Sequence, residues 1–136
     1  MAVVKELLRN EGDKALSFGD YTLAEKQKVE DFAFQGDLYK VKTFSEITKL
    51  EKNGLFSYES VPGTSVIGFA EDSDGVSFTV EGTTDAQITL GLAEETTYKV
   101  FIDGQPSGEM TTNLGGKLAL SVELSEGTEV AVKVVK

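Results

Sequence analysis

Val76-Ser-Phe-Thr-Val80, Ala86-Gln-Ile-Thr-Leu90, Tyr98-Lys-Val-Phe-Ile102, Leu118-Ala-Leu-Ser-Val-Glu-Leu124 and Val130-Ala-Val-Lys-Val134 decide the fold. In each, apolar and polar residues follow a period of two, which gives an extended chain one apolar face. β-Branched and aromatic residues dominate the runs, as in half-buried strands. Turn chemistry separates them at Asp74-Gly75, Gly82-Thr-Thr-Asp85, Asp103-Gly104, Asn113-Leu-Gly-Gly116 and Ser125-Glu-Gly127. A further short strand is predicted around Met110. About seven short strands with a turn every 8–12 residues argue a β-sandwich or barrel.

Working back from there, Ser60-Val-Pro-Gly-Thr-Ser65 reads as a turn or linker, with Pro62 presetting φ and Gly63 free to take a positive one. The charge changes at the same place. Residues 1–65 carry 9 basic and 11 acidic side chains, and residues 66–136 carry 4 and 12. A soft boundary therefore divides 1–62 from 63–136. In the first segment, Val3–Leu8 and Leu16–Leu23 flank Glu11-Gly-Asp-Lys14 as one hairpin, and Val29–Phe34 and Leu38–Phe44 flank Gln35-Gly-Asp37 as another. Residues 43–60 have two readings. Lys52-Asn53-Gly54-Leu55 fits a type I′ turn leading into the strand 55–59. Alternatively, Thr43 and Glu46 form a capping box, Phe44, Ile47 and Leu50 recur at helical spacing, and Gly54 caps the end. The hairpin agrees better with its strand neighbours. The expected fold is all-β: an antiparallel sandwich over 63–136, with the hairpins of 1–62 packed on it or forming a small subdomain.

Composition narrows the chemistry. Among 136 residues there is no His, Cys or Trp, and Arg9 is the one arginine. Nucleophilic Ser-His and Cys-His arrangements are excluded, and no Ser-x-x-Lys occurs. Gly115-Gly-Lys117 lacks the upstream Gly and following Ser/Thr of a phosphate loop. The net charge of −10 without a basic cluster in sequence speaks against nucleic acid and against anionic membrane surfaces. No apolar run reaches the roughly 18 residues of a membrane-spanning helix. Charges interrupt the apolar stretch at the N-terminus, so no signal peptide is read and a cytoplasmic location is expected.

Two groups of residues are candidate sites. Asp72, Asp74, Gly75 and Glu81 occupy positions 3, 5, 6 and 12 of an EF-hand-like loop, but position 1 is Ala70 and the flanks read as strands. Asp72 and Asp74 are thus candidate calcium ligands beside the simpler reading of an Asp-Gly turn. Tyr21, Tyr39, Tyr58 and Tyr98 are candidate ligand-binding residues, since tyrosine offers an apolar ring with a polar tip. No cofactor is implied and no catalytic residue is singled out. The 23 acidic residues contain no pair that spacing selects as a glycosidase dyad.

Tyr98-Lys-Val-Phe-Ile-Asp-Gly104, Gly108, Thr112-Asn113 and Gly116-Lys-Leu-Ala-Leu-Ser-Val122 make residues 96–135 resemble accessory β-sandwich modules of bacterial polysaccharide-acting enzymes. Through Leu16-Ser-Phe-Gly-Asp-Tyr-Thr-Leu23, Leu38-Tyr-Lys-Val-Lys-Thr-Phe44 and Tyr58-Glu-Ser-Val-Pro-Gly-Thr64, the whole chain resembles small bacterial proteins that carry the automatic label endosialidase. Sialidases of known type grip the sialic-acid carboxylate with several arginines. With Arg9 alone, the resemblance implies a shared structural or binding module rather than the catalytic one. The expected function is a non-enzymatic structural or protein-interaction module that binds a protein partner or itself. The alternative is a carbohydrate-binding module using tyrosines and carboxylates, with a glycan as partner.

Overall fold

A computed structural model describes residues 3–12 and 15–136. Met1, Ala2, and Asp13 and Lys14 of the turn expected over 11–14, lie outside the described residues. In chain order the strands are β1 (Leu8–Asn10), β2 (Leu16–Phe18), β3 (Gln27–Phe34), β4 (Asp37–Phe44), β5 (Ile47–Lys52) and β6 (Leu55–Val61). They continue as β7 (Ser65–Asp72), β8 (Gly75–Glu81), β9 (Ala86–Gly91), β10 (Thr97–Ile102), β11 (Gln105–Thr111), β12 (Lys117–Val122) and β13 (Glu129–Val135). The described residues contain no helix, and so none that is long and apolar enough to cross a membrane.

The strands form two antiparallel sheets packed face to face. One runs β1-β2-β7-β8-β13-β10-β11 and the other β12-β9-β6-β5-β4-β3. Both contain strands from either side of residue 62: β2 pairs with β7 in the first, and β6 with β9 in the second. A single hydrophobic cluster runs through the molecule, from Leu8 and Phe18 to Val132 and Val134. Residues 62–64 therefore carry the chain from one sheet to the other, and the sandwich expected of 63–136 alone is built by both segments. The Val61–Pro62 peptide there is cis.

Tyr58 is the centre of the core. Fully buried on β6, it meets Phe18, Phe69 and Phe78 of the opposite sheet edge to face, at centroid distances of 5.2, 6.2 and 5.6 Å. Such pairs add about 0.5–1.5 kcal/mol each beyond the area they bury. Its hydroxyl shares a hydrogen bond of 2.7 Å with Thr64, whose hydroxyl also meets that of Ser60. Thr48 donates to the Thr64 carbonyl and shares a bond with Thr43. Hydroxyls thus seal one end of the apolar core, and every buried side-chain polar atom of the described residues has a partner.

The two-way reading of 43–60 resolves as hairpins. Asn53 and Gly54 take φ of 52° and 79°, the double positive of a type I′ turn. Leu50 points into the core, whereas Phe44 and Ile47 face each other across β4 and β5, half-buried on the outside. Helical spacing there was incidental to two strands meeting at a turn. Residues 3–7 do not extend β1; Val4 and Leu7 instead bond to Gly19 through the backbone. The strand at Met110 is seven residues long. Strand β7 has no clean alternation because its register with β8 shifts between Ile67 and Ala70. That bulge puts both Val66 and Phe69 inside.

Candidate functional site

One end of the sandwich gathers the turns at 53–54, 73–74, 92–96 and 112–116. A groove of about 760 Å³ opens among them, with Lys52, Leu55, Phe56, Glu71, Leu92 and Lys117 in its walls, together with Asp72, Tyr98 and Lys136. Its floor is backbone. A Cβ placed on Gly91 would overlap the Phe56 carbonyl oxygen, so glycine lets β6 and β9 close under the groove.

The type I′ turn sets the wall on the six-stranded sheet. Asn53 locks it, accepting from the Leu38 N–H at 2.9 Å and donating to Asp37 at 2.8 Å. Lys52 is thereby held between Asp37 at 3.7 Å and Glu71 of the other sheet at 3.8 Å. Burial raises the pKa of Glu71; Lys52 opposes the rise, and the negative charges of Asp37 and Asp72 add to it. On the far side, the Lys117 ammonium lies 4.7 Å from the Phe56 ring centroid and that of Lys49 5.9 Å. Within this range the ring quadrupole attracts a cation. Leu55, on the rim, is 72 % exposed, and Leu114, next to the lining residue Gly115, is 75 % exposed. The groove therefore offers apolar surface, the ammonium groups of Lys52, Lys117 and Lys136, and a half-buried carboxyl group whose pKa burial raises. That combination suits an extended chain with an apolar side chain and a negative charge.

The tyrosines expected to line a binding surface are all buried, with exposures from 0 % for Tyr58 to 6 % for Tyr39. Nor are they gathered in one place. Tyr21 donates to Glu81 at 2.9 Å, both being buried, and burial and that carboxylate push its pKa up to about 12. Tyr39 stacks edge to face on Phe34, and its pKa is pushed up to about 12 by burial and by Glu71 and Asp37. Tyr58 is the centre of the core, its pKa raised by burial. Tyr98 reaches the groove, where its hydroxyl accepts from the Ala93 N–H at 3.2 Å. None has a ring face free for a sugar to stack on.

Asp72 and Asp74 lie at the β7–β8 turn. Asp72 Oδ1 accepts from the N–H groups of Asp74 and Gly75, at 2.8 and 3.1 Å, and so closes the β7–β8 turn. Glu81 lies at the opposite end of β8, roughly 20 Å from that turn at about 3.3 Å per residue. Among the described residues no group of three potential ligands converges. What the sequence reading missed is Glu71, Lys52, Phe56 and Lys117. They come from four strands in two sheets, and no spacing along the chain links them. The one local signal was Asn53-Gly54, beside two of them.

Comparison with family models, with curated proteins and with solved structures finds no match to this chain.

Proposed function

We propose that this sandwich is a non-enzymatic structural or protein-interaction module that engages a protein partner at its grooved end. The observation that carries the reading is the groove, where the 72 %-exposed Leu55 stands beside Phe56 and the ammonium groups of Lys52 and Lys117. An apolar side chain of that size removed from water is worth about 1.5–3 kcal/mol. A polypeptide seated there would bury it and meet the lysines with a carboxylate. The interior supports a scaffold role as well, since its hydroxyls and the Tyr21–Glu81 pair are engaged in tying the connections at Tyr21 and Thr64 to strands β5, β6 and β8.

The test is selection from a random peptide library on the wild-type protein, with Leu55→Asp and Lys117→Glu as comparison proteins. Enriched peptides are expected to carry an apolar residue near an acidic one, and to bind either variant at least about tenfold more weakly. Peptides that bind variants and wild type alike, or no enrichment at all, would remove the groove from the reading.

A further inference from the structure

Charge is distributed over this molecule against its net sign. The total is −10, yet the outer face of the six-stranded sheet carries Lys28, Lys40, Lys42, Lys49 and Lys117 against Glu30, Glu51 and Glu59. Strand alternation fixes these outward, because Val41, Thr43, Thr48, Leu50 and Leu118 are buried on the inner side. The register then sets three lysines in a row: Lys28 opposite Lys42, and Lys42 opposite Lys49. Like charges directly opposite on neighbouring strands are destabilising. Lys28 is relieved by Glu30 at 2.9 Å, and Lys49 by Glu51 at 4.0 Å and by Glu59, directly opposite it on β6; Lys40 beside the row faces Glu51. Lys42, between them, forms no ion pair among the described residues. Apolar side chains border the row, with Phe44 facing Ile47 on one side and Phe56 on the other.

The complementary surface is on the same molecule. The connection from β12 to β13 and the first residue of β13 carry Glu123, Glu126 and Glu129 with no cation between them. Asp85 joins them, accepting from the Leu124 N–H at 3.1 Å. Asp20, Glu81 and Glu126 together surround Tyr21 with negative charge, and Glu129 stands opposite Glu81 in the register. This end lies away from the groove. At physiological salt, charges separated by more than about 8 Å are largely screened, so two copies in contact respond to local pattern more than to total charge.

We propose that the lysine row of the six-stranded sheet docks the acidic end of a second copy of this chain, at Glu123, Glu126 and Glu129. The proposal rests on the reading of the chain as an interaction module and identifies one partner. The two surfaces are different patches, so the contact is heterologous. It leaves a free lysine face on one copy and a free acidic end on the other, and so propagates to a ring or an open chain instead of stopping at a two-fold dimer.

Light scattering after size exclusion, over a concentration series at low and high salt, tests this on the full chain. Two variants accompany the wild type: Lys28→Gln/Lys42→Gln/Lys49→Gln, which blanks the face, and Glu123→Gln/Glu126→Gln/Glu129→Gln, which blanks the end. The wild type is expected to grow in mass with concentration and to fall back to the monomer as salt rises. Each variant alone should remain a monomer. Their equimolar mixture should form a complex of one copy of each and no larger, because it has one intact face and one intact end. That rescue also shows that both variants are folded, and the salt series needs no variant. Leu55→Asp should assemble as the wild type does, so loss of groove binding and loss of self-docking are read separately. A wild type that stays monomeric at every concentration in low salt overturns the proposal. So does assembly by the end-blanked variant, or failure of the mixture to pair. Capture of poly-glutamate by the lysine face of a monomeric wild type would assign that face to a different acidic partner, and would equally overturn docking of a second copy.

Discussion

Glu71 shows what a single side chain costs when a sandwich closes around it. Burial raises its pKa more than the Lys52 ammonium at 3.8 Å lowers it. In the folded protein its carboxyl therefore holds a proton to a higher pH than in the unfolded chain. The stability linked to that proton is whole below the ordinary value of 4.5 and is lost as pH rises through the raised one. At neutral pH the ionised group is a net burden, and Glu71→Gln is expected to raise the melting temperature. The gain should shrink as the pH is brought below the ordinary carboxylate value, and thermal melts of both proteins across that range measure it. A gain that ignored pH would mean that shape, not charge, is at work. Tyr21 carries the opposite expectation. Its hydroxyl supplies a hydrogen bond to the buried Glu81 carboxylate, and hydrogen bonds to charged groups are worth about 1.5–3 kcal/mol. Tyr21→Phe should lower stability by roughly that amount, read as a lower urea midpoint at unchanged slope; an unaltered midpoint would show that Glu81 does not depend on this donor. The sequence offers Tyr21 as a candidate ligand-binding residue and does not single out Glu71, because the partners that decide their roles, Glu81 and Lys52, lie far from them along the chain.

Among elements, legibility followed the local signal. Asn53-Gly54 identifies its own hairpin because both positions need positive φ, and those residue types tolerate it. The strands β8, β9, β10, β12 and β13 were readable from alternation, since each buries one face and wets the other. Strand β7 was not, because its bulge breaks the period halfway. The groove was illegible for a related reason: its floor depends on how closely β6 and β9 approach, which is a property of pairing and not of either strand. Gly91→Ala drives a methyl into the Phe56 carbonyl, and overpacking of this kind costs about 1–3 kcal/mol. The expected outcome is a stability loss in that range, with groove-selected peptides binding more weakly to the protein that remains folded. Full stability would mean that β6 and β9 part without penalty, and the groove would then not be rigid.

At the scale of the molecule, the division at residue 62 followed the shift in charge, but surface charge carries no information on which core a segment joins. The pairing of β2 with β7 and of β6 with β9 is non-local, and no pattern along one strand specifies a partner that far away. What pairing creates is a core in which Tyr58 of the first segment is enclosed by Phe69 and Phe78 of the second. This has a consequence at high pH. Burial pushes Tyr21 and Tyr39 up to about 12 and raises Tyr58 as well, against 10.0 for a tyrosine in water. Each keeps its proton in the fold after the unfolded chain has begun to lose it. The stability they contribute is whole below a pH of about 10 and disappears as pH rises through the folded values. All three lie within 1–62, yet the core they support is shared. Alkaline titration is therefore expected to give one transition, with tyrosinate absorbance and far-ultraviolet circular dichroism changing together. If the absorbance rose first while a large part of the strand signal survived to higher pH, residues 63–136 would hold a fold of their own and the shared core would not be the unit of stability.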